Sequence, residues 1–185
     1  NRTEQSRWYP GAGLYRNVHV IITDDVHIPL WGTYVTTPVV RADFAKVIIR
    51  TKVEGNNTPN AKYRLSTHIL NPAGVIVAKT ETQLTKYDEN EFRQDLVVEN
   101  PQLWSTSSPT LYKAVSRLYA DSKLVDEYAT TFGIRTIEVR PNDGFYLNGV
   151  KTVFKGVCNH HDLGPLGGAV NDAAIRRQVR IMKDM

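Results

Sequence analysis

Between Tyr15 and Arg140 apolar residues recur at every second position, in short runs separated by turn-forming clusters. A period of two sends neighbouring side chains to opposite faces of an extended chain, so each run asks for a sheet with one dry face. The runs are Tyr15 to Ile22, with Val18, Val20 and Ile22 in alternation; Leu30 to Val40, rich in Trp, Tyr, Val and Thr; and Ala45 to Val53, where Val47, Ile49, Thr51 and Val53 alternate with Lys46, Ile48, Arg50 and Lys52. Tyr63 to Leu70, Val75 to Thr82, Phe92 to Val98, Leu111 to Ala120, Lys123 to Phe132 and Thr136 to Arg140 follow. In the long run from Leu111, the residues Tyr112, Ala114, Ser116 and Leu118 share one face. The breaks are turn chemistry: Asp24-Asp25, Gly55 to Asn60, Asn71-Pro72-Ala73-Gly74, Asn100 to Pro109 and Asp121-Ser122. No helical period appears before residue 170. Strands at this spacing predict an antiparallel β-sandwich of immunoglobulin type. With one cysteine, Cys158, no disulfide can join its sheets, so side-chain packing must hold them.

After Arg140 the pattern changes. Asn148-Gly149 is the pair that accepts the positive φ angles of a two-residue hairpin turn. The apolar run Val153 to Val157 follows and ends in the polar cluster Cys158-Asn159-His160-His161-Asp162. Gly164-Pro165-Leu166-Gly167-Gly168 then breaks the chain. Strand, polar cluster, loop and helix together are expected to be the first βα unit of a parallel α/β barrel, which carries its functional side chains at the C-terminal ends of its strands.

The helix follows from its ends. Asn171 is a good N-cap, and Asp172 puts negative charge in the first turn, where unpaired N–H groups favour it. Ile175, Val179, Met182 and Met185 form an apolar stripe, with Arg176, Arg177, Arg180 and Lys183 away from it. A helix this short is marginal unless its stripe is covered. The segment from Pro165 onward is therefore expected to be the least ordered part of the chain unless something packs on it.

Several other chemistries fit poorly. The net charge of +4 is spread without a basic block, which argues against nucleic-acid or membrane partners. No apolar run approaches the ~20 residues of a membrane span. Asn1 to Ser6 is polar and does not begin with Met, so the chain reads as a segment with no signal peptide of its own. His160 and His161 are adjacent, so a regular strand would point them to opposite sides, and no zinc-finger spacing accompanies them; neither a metal nor another cofactor is expected. Cys158 lies two residues from His160, but within an apolar run it reads as a small buried hydrophobe rather than a nucleophile. Trp8, Trp31 and Trp104 could stack on sugars, and are expected instead to fill cores or domain interfaces. Asn57-Thr58-Pro59 does not make a glycosylation sequon.

Three ordered stretches carry a resemblance. Gly156, Val157, His160 and Asp162 fit the motif that opens the catalytic barrel of glycoside hydrolase family 2, the β-galactosidases and β-glucuronidases. Asn159 stands where that motif commonly has Arg or Lys, and His161 where it commonly has an acid. Arg7-Trp8-Tyr9-Pro10-Gly11-Ala12-Gly13-Leu14-Tyr15-Arg16-Asn17-Val18 is similar to the family's junction between its sugar-binding jelly roll and its immunoglobulin-like domain. Phe132-Gly133-Ile134-Arg135 followed by Phe145-Tyr146-Leu147-Asn148-Gly149 is similar to the junction into the barrel.

The resemblance implies three parts: residues 1–13 as a linker or the end of the jelly roll, 14–140 as the immunoglobulin-like sandwich, and 141–185 as the start of the (β/α)8 barrel. It implies a retaining exo-β-glycosidase, most plausibly a β-galactosidase, with a carbohydrate substrate and the possibility of a homo-oligomer. His160 would contact the sugar and stabilise charge at the anomeric centre, with Asn159 and Asp162 in the pocket wall. Retaining hydrolysis needs two carboxyl groups ~5–5.5 Å apart, and in this family both are glutamates on later barrel strands, one of them in an Asn-Glu pair. The pair Asn90-Glu91 lies in the sandwich region and reads as a solvated turn. A barrel needs on the order of 200 residues, so these 185 residues are expected to be inactive alone. The competing reading is a stand-alone carbohydrate-binding or adhesion sandwich, for which an appended βα unit would have no use.

Overall fold

A computed structural model describes residues 13–14, 16–55, 61–84, 90–160, 163, 167–169 and 171–185. Trp8, Tyr15, Asn57, His161, Asp162 and the Gly164–Leu166 loop lie outside the described residues. The chain divides into two compact units: Ile22–Val153, and a second made of Asn1–Ile21 with Phe154–Met185.

Seven strands build the first unit's sandwich. They are β1 (Thr33–Val40), β2 (Phe44–Lys52), β3 (Tyr63–Leu70), β4 (Ile76–Leu84), β5 (Glu91–Glu99), β6 (Tyr112–Ala120) and β7 (Lys123–Phe132). One sheet has the order β1-β2-β5 and the other β4-β3-β6-β7, and every pairing is antiparallel. The alternation explains what faces inward. Ala45, Val47, Ile49 and Thr51 of β2 are buried, as are Tyr112, Ala114, Ser116 and Leu118 of β6. They meet in two apolar clusters, one centred on Val47, Ile49, Ile69 and Ile134, the other on Leu65, Leu84 and Leu118. Fully burying one such aliphatic side chain contributes roughly 1.5–3 kcal/mol.

Three buried polar groups cross this interior. The hydroxyls of Thr67 and Ser116, partners in the β3–β6 register, lie 3.1 Å apart. From the opposite sheet, Gln94 donates its Nε2 to the Leu65 carbonyl and to Thr82 Oγ1, each at 3.1 Å. A hydrogen-bonded amide of this kind fixes how the two sheets sit on each other, because any slide would strand it without partners.

The edge of β7 is covered by side chains rather than by a ladder. Lys123 pairs with Asp24 at 3.0 Å, Asp126 accepts the Ile28 N–H at 2.7 Å, and Tyr128 Oη accepts the Trp31 N–H at 2.9 Å. The hydroxyls of Thr130 and Thr33 pair in turn. An open strand edge invites pairing with another chain, and this strap occupies it.

Two expected strands are not found. Among the described residues, 17–22 are assigned to no strand, and Val18, Val20, Ile21 and Ile22 are exposed on both faces. Residues 153–157 likewise carry no strand among the described residues, with Val153, Phe154 and Val157 exposed. An apolar stretch is able to pair, but a ladder needs a second strand as well. The β1 strand starts at Thr33 rather than Leu30, because Pro29 to Gly32 forms a tight turn closed by the Gly32 N–H to the Pro29 carbonyl at 2.7 Å.

A separate three-stranded meander ends the first unit: β8 (Ile137–Arg140), β9 (Gly144–Leu147) and β10 (Val150–Lys151). The run from Thr136 thus pairs with β9 rather than completing the sandwich. Asn148 and Gly149 join β9 to β10 with φ angles of 52° and 76°, as the hairpin turn requires. Asn148 also ties the meander to the sandwich. Its Oδ1 accepts the Thr136 N–H and its Nδ2 donates to the Trp104 carbonyl, both at 2.9 Å.

In the second unit, α1 (Asp172–Asp184) forms as its caps predict. Asn171 Oδ1 accepts the Ala174 N–H at 3.1 Å, and Asp172 lies in the first turn. None of its residues is buried; Ile175 and Met182 are half-covered, while Val179 and Met185 are exposed.

Candidate substrate-pocket segment

The hairpin fixes where the candidate segment begins. The Thr152 N–H reaches the Phe145 carbonyl at 2.8 Å, and its Oγ1 donates to the Val150 carbonyl at 3.0 Å. Beyond Thr152 ladder bonding stops. Asn159 and His160 follow in succession and both are exposed. Asp162, the third candidate, lies outside the described residues. Cys158 is exposed as well, which corrects the expectation that it is buried: the run that precedes it is not part of a strand. Among the described residues no group of three or more His, Cys, Asp or Glu side chains could hold a metal ion.

Glu91, the glutamate of the only Asn-Glu pair, opens β5 on the outer surface of the sandwich. Its register partner on β2 is Lys52, and its Oε1 lies 3.9 Å from the guanidinium Nε of Arg50, two residues away on the same strand. A carboxylate in that setting is a surface charge. Trp104 is half-buried: Gly133 packs so close that a Cβ there would lie 2.8 Å from the Trp104 Cβ, and Arg135 lies 5.1 Å over its ring. That is the expected filler role. Trp31 departs from it, being 85% exposed at the tip of the Pro29–Gly32 turn with a φ of 58°.

Sequence reasoning passed over a charged network on the meander. Arg140 bonds Glu138 through Nε at 2.8 Å and Nη2 at 3.0 Å, and its guanidinium carbon lies 3.7 Å over the Tyr146 ring. Tyr146 Oη donates to Asp143 at 2.6 Å, and Lys151 Nζ donates to the same carboxylate at 2.8 Å. The alternation of Glu138 and Arg140 with Ile137 and Val139 was its signal. The hydrogen bond from Arg140 holds the Glu138 carboxyl below its ordinary range. Those from Lys151 and Tyr146 do the same for Asp143, as the bond from Arg93 does for Asp95 on the sandwich. A general acid at neutral pH needs the opposite displacement. These three carboxylates are therefore built to stay ionised and paired.

A cavity of about 540 Å³ opens beside β1 and the end of β7, lined by Tyr34, Thr36, Leu111, Phe132, Arg135 and Ile137 among others. Its wall holds no carboxylate and no histidine, so it cannot house two-carboxylate hydrolysis.

Comparison with known proteins shows the family. The family model described as "Glycosyl hydrolases family 2" matches residues 26–135, the extent of the sandwich. The chain is 40% identical over 182 residues to "Beta-galactosidase BoGH2A" of Bacteroides ovatus, covering 97% of this chain and 21% of that protein. It is 30% identical to a "Beta-glucuronidase" of Formosa agariphila, covering 80% of this chain and 16% of that protein. A crystal structure of a glycosyl hydrolase family 2 member from Bacteroides cellulosilyticus superposes with a TM-score of 0.89 at 39% identity, over 96% of this chain and 23% of that one. The chain spans about a fifth or less of the length of these curated relatives. With the family model matching residues 26–135 and the sequence matched over 97% of its length, the chain belongs to glycosyl hydrolase family 2.

Proposed function

We propose that this chain is the central part of a retaining exo-β-glycosidase, with a β-galactoside as the favoured substrate. Residues 14–140 would be the immunoglobulin-like scaffold, and residues 141–185 would open a (β/α)8 catalytic barrel. The observation that carries the reading is the 40% identity to the Bacteroides ovatus β-galactosidase, which runs through the segment containing Asn159, His160 and Asp162 rather than stopping at the sandwich. A "Putative beta-glucuronidase" matches at 32% and a second β-galactosidase at 31%, so the preference for galactoside rests on the 40% match alone.

The chemistry follows from what such hydrolysis requires. One carboxylate attacks the anomeric carbon and a second carboxyl group protonates the departing oxygen. Glu91, Asp95, Glu138 and Asp143 are paired with cations, so neither role falls to them. Both would be supplied by barrel strands of the longer polypeptide. His160 would then donate to a sugar oxygen at the mouth of the first strand, stabilising the transition state as charge builds at the anomeric centre. Asn159 and Asp162 would complete that wall of the pocket.

The test is hydrolysis of a panel of nitrophenyl β-glycosides by the longer polypeptide and by the 185-residue chain. The expected result is turnover of the galactoside by the longer polypeptide, slower turnover or none of the glucuronide, and no turnover by the chain alone. Hydrolysis by the 185-residue chain would overturn the assignment of the chemistry to the barrel.

A further inference from the structure

Two sheet edges run near each other in the sandwich without forming a ladder. Strand β1 ends the three-stranded sheet and β7 ends the four-stranded one. Side chains bridge the gap at two points. The hydroxyls of Thr33 and Thr130 pair, and Thr37 donates its hydroxyl to the Arg135 carbonyl at 3.2 Å. The cavity of about 540 Å³ opens along the stretch between these bridges, wholly within the unit Ile22–Val153. That volume is in the range of small-ligand sites.

The β1–β2 ladder fixes what β1 presents to the cavity. Thr33 stands opposite Thr51, and the Lys52 N–H donates to the Gly32 carbonyl at 2.6 Å. Thr33–Thr51 is therefore a non-hydrogen-bonded pair, and by alternation Tyr34 and Thr36 are the residues bonded to β2. Val35 turns its N–H and carbonyl the other way, to the open edge. Hydroxyls stand beside them. Among the described residues, the side-chain hydroxyls of Tyr34, Thr36 and Thr131 bond to no other protein group, and each can both donate and accept. The Tyr34 ring and Leu111, 62% and 46% exposed, give the same wall its apolar area. Charge narrows the ligand. The wall has no carboxylate to hold a cation or an amine, and its one cation, Arg135, lies over the Trp104 ring. The matching ligand is neutral, carries several hydroxyls and has an apolar face, which describes a pyranose ring.

We propose that this cleft is a sugar-binding site that holds a neutral pyranose against Tyr34 and Leu111, with its hydroxyls on Thr36, Thr131 and the Val35 backbone. It binds without cleaving, because its wall holds no carboxylate. The inference goes beyond the glycosidase reading and does not depend on it. A single neutral sugar of about a dozen heavy atoms should bind with a dissociation constant on the order of millimolar.

Backbone-amide NMR of the 185-residue chain, titrated with methyl β-galactoside, methyl β-glucoside and sodium galacturonate, tests this. The two neutral glycosides should move the Val35 and Thr131 amide signals and saturate in the millimolar range, with galacturonate weaker. Tyr34→Ala, at an exposed position, should weaken binding at least about fivefold. Thr131→Val, which keeps the shape and removes the hydroxyl, should weaken it about three- to tenfold. Trp31→Ala should leave it unchanged. Shifts that stay linear with no saturation overturn the proposal, as does binding that survives Tyr34→Ala and is lost in Trp31→Ala, because the sugar then sits on the exposed tryptophan. A stronger response to galacturonate than to either neutral glycoside also overturns it, assigning the cleft to an anion at Arg135.

Discussion

The sandwich and the meander are both antiparallel, yet they dispose of their apolar side chains in opposite ways. Strand β2 lies between β1 and β5 and turns Ala45, Val47, Ile49 and Thr51 into an interior closed by a second sheet. Strand β8 turns Ile137 and Val139 outward, where they are 58% and 73% exposed. On the charged side the order reverses. Pairs on the sandwich surface such as Lys46–Asp95, 3.6 Å apart, are isolated or shared by two cations at most, whereas the meander gathers Glu138, Arg140, Asp143, Tyr146 and Lys151 into one network. The sandwich closes its apolar side chains inside, and the meander leaves Ile137, Val139 and Val150 exposed.

Substitutions sharpen that contrast. Ile49→Ala removes a fully buried side chain between two sheets and should cost ~2–5 kcal/mol in urea unfolding of the 185-residue chain. Val139→Ala on the bare face should stay within ~0.5 kcal/mol. Equal costs at the two positions would break the comparison.

The joint between the regions comes next. Asn148→Ala loses two hydrogen bonds and places a Cβ-bearing residue without local side-chain support at a φ of 52°. A loss of about 2–4 kcal/mol is expected. Asn148→Gly removes the same bonds without the backbone penalty and should cost about 1 kcal/mol less. If glycine were no better than alanine, the left-handed turn would not be what the position selects. Gly133→Ala forces a Cβ against Trp104 and should cost ~1–3 kcal/mol, read as a lower midpoint in the same unfolding experiment.

The smallest effect is with acid. Glu138 and Asp143 are held below their ordinary values of 4.5 and 3.8, so the stability they lend is present at neutral pH. It is lost as the pH falls below about 4 and through the depressed values. Both are exposed, so solvent screens the effect. Thermal unfolding should show a modest decline on acidification that is smaller in the Glu138→Gln/Asp143→Asn double variant. An identical decline in that variant would place the acid sensitivity elsewhere.

Sequence alone revealed most of the sandwich because its strands are regular on one face. Tyr63–Leu70 and Lys123–Phe132 match their expected limits residue for residue, and the turn at Asn148-Gly149 and the N-cap at Asn171 fall where their chemistry puts them. Residues 16–22 and 153–157 show why the rest was harder. The first alternates as β2 does and the second is an apolar run, but pairing is a property of two strands and cannot be read from one. Cys158 was misjudged for the same reason, since burial was inferred from a run that is not part of a strand. The apolar face of β8–β10 was legible only once register was known, because Ile137, Phe145 and Val150 are far apart in sequence and share no pattern. Of the candidate site, the adjacency of Asn159 and His160 is all that local sequence could fix; the pocket they would line depends on strands that lie far along a longer chain.

The central claim is that the chemistry-bearing part of this chain is the segment ending in His160 and that the sandwich only supports it. His160→Ala in the longer polypeptide, assayed on the nitrophenyl β-galactoside, tests this most directly. The account predicts a loss of about 10²-fold in kcat/KM with the melting temperature unchanged. Wild-type kcat/KM in that variant would contradict it.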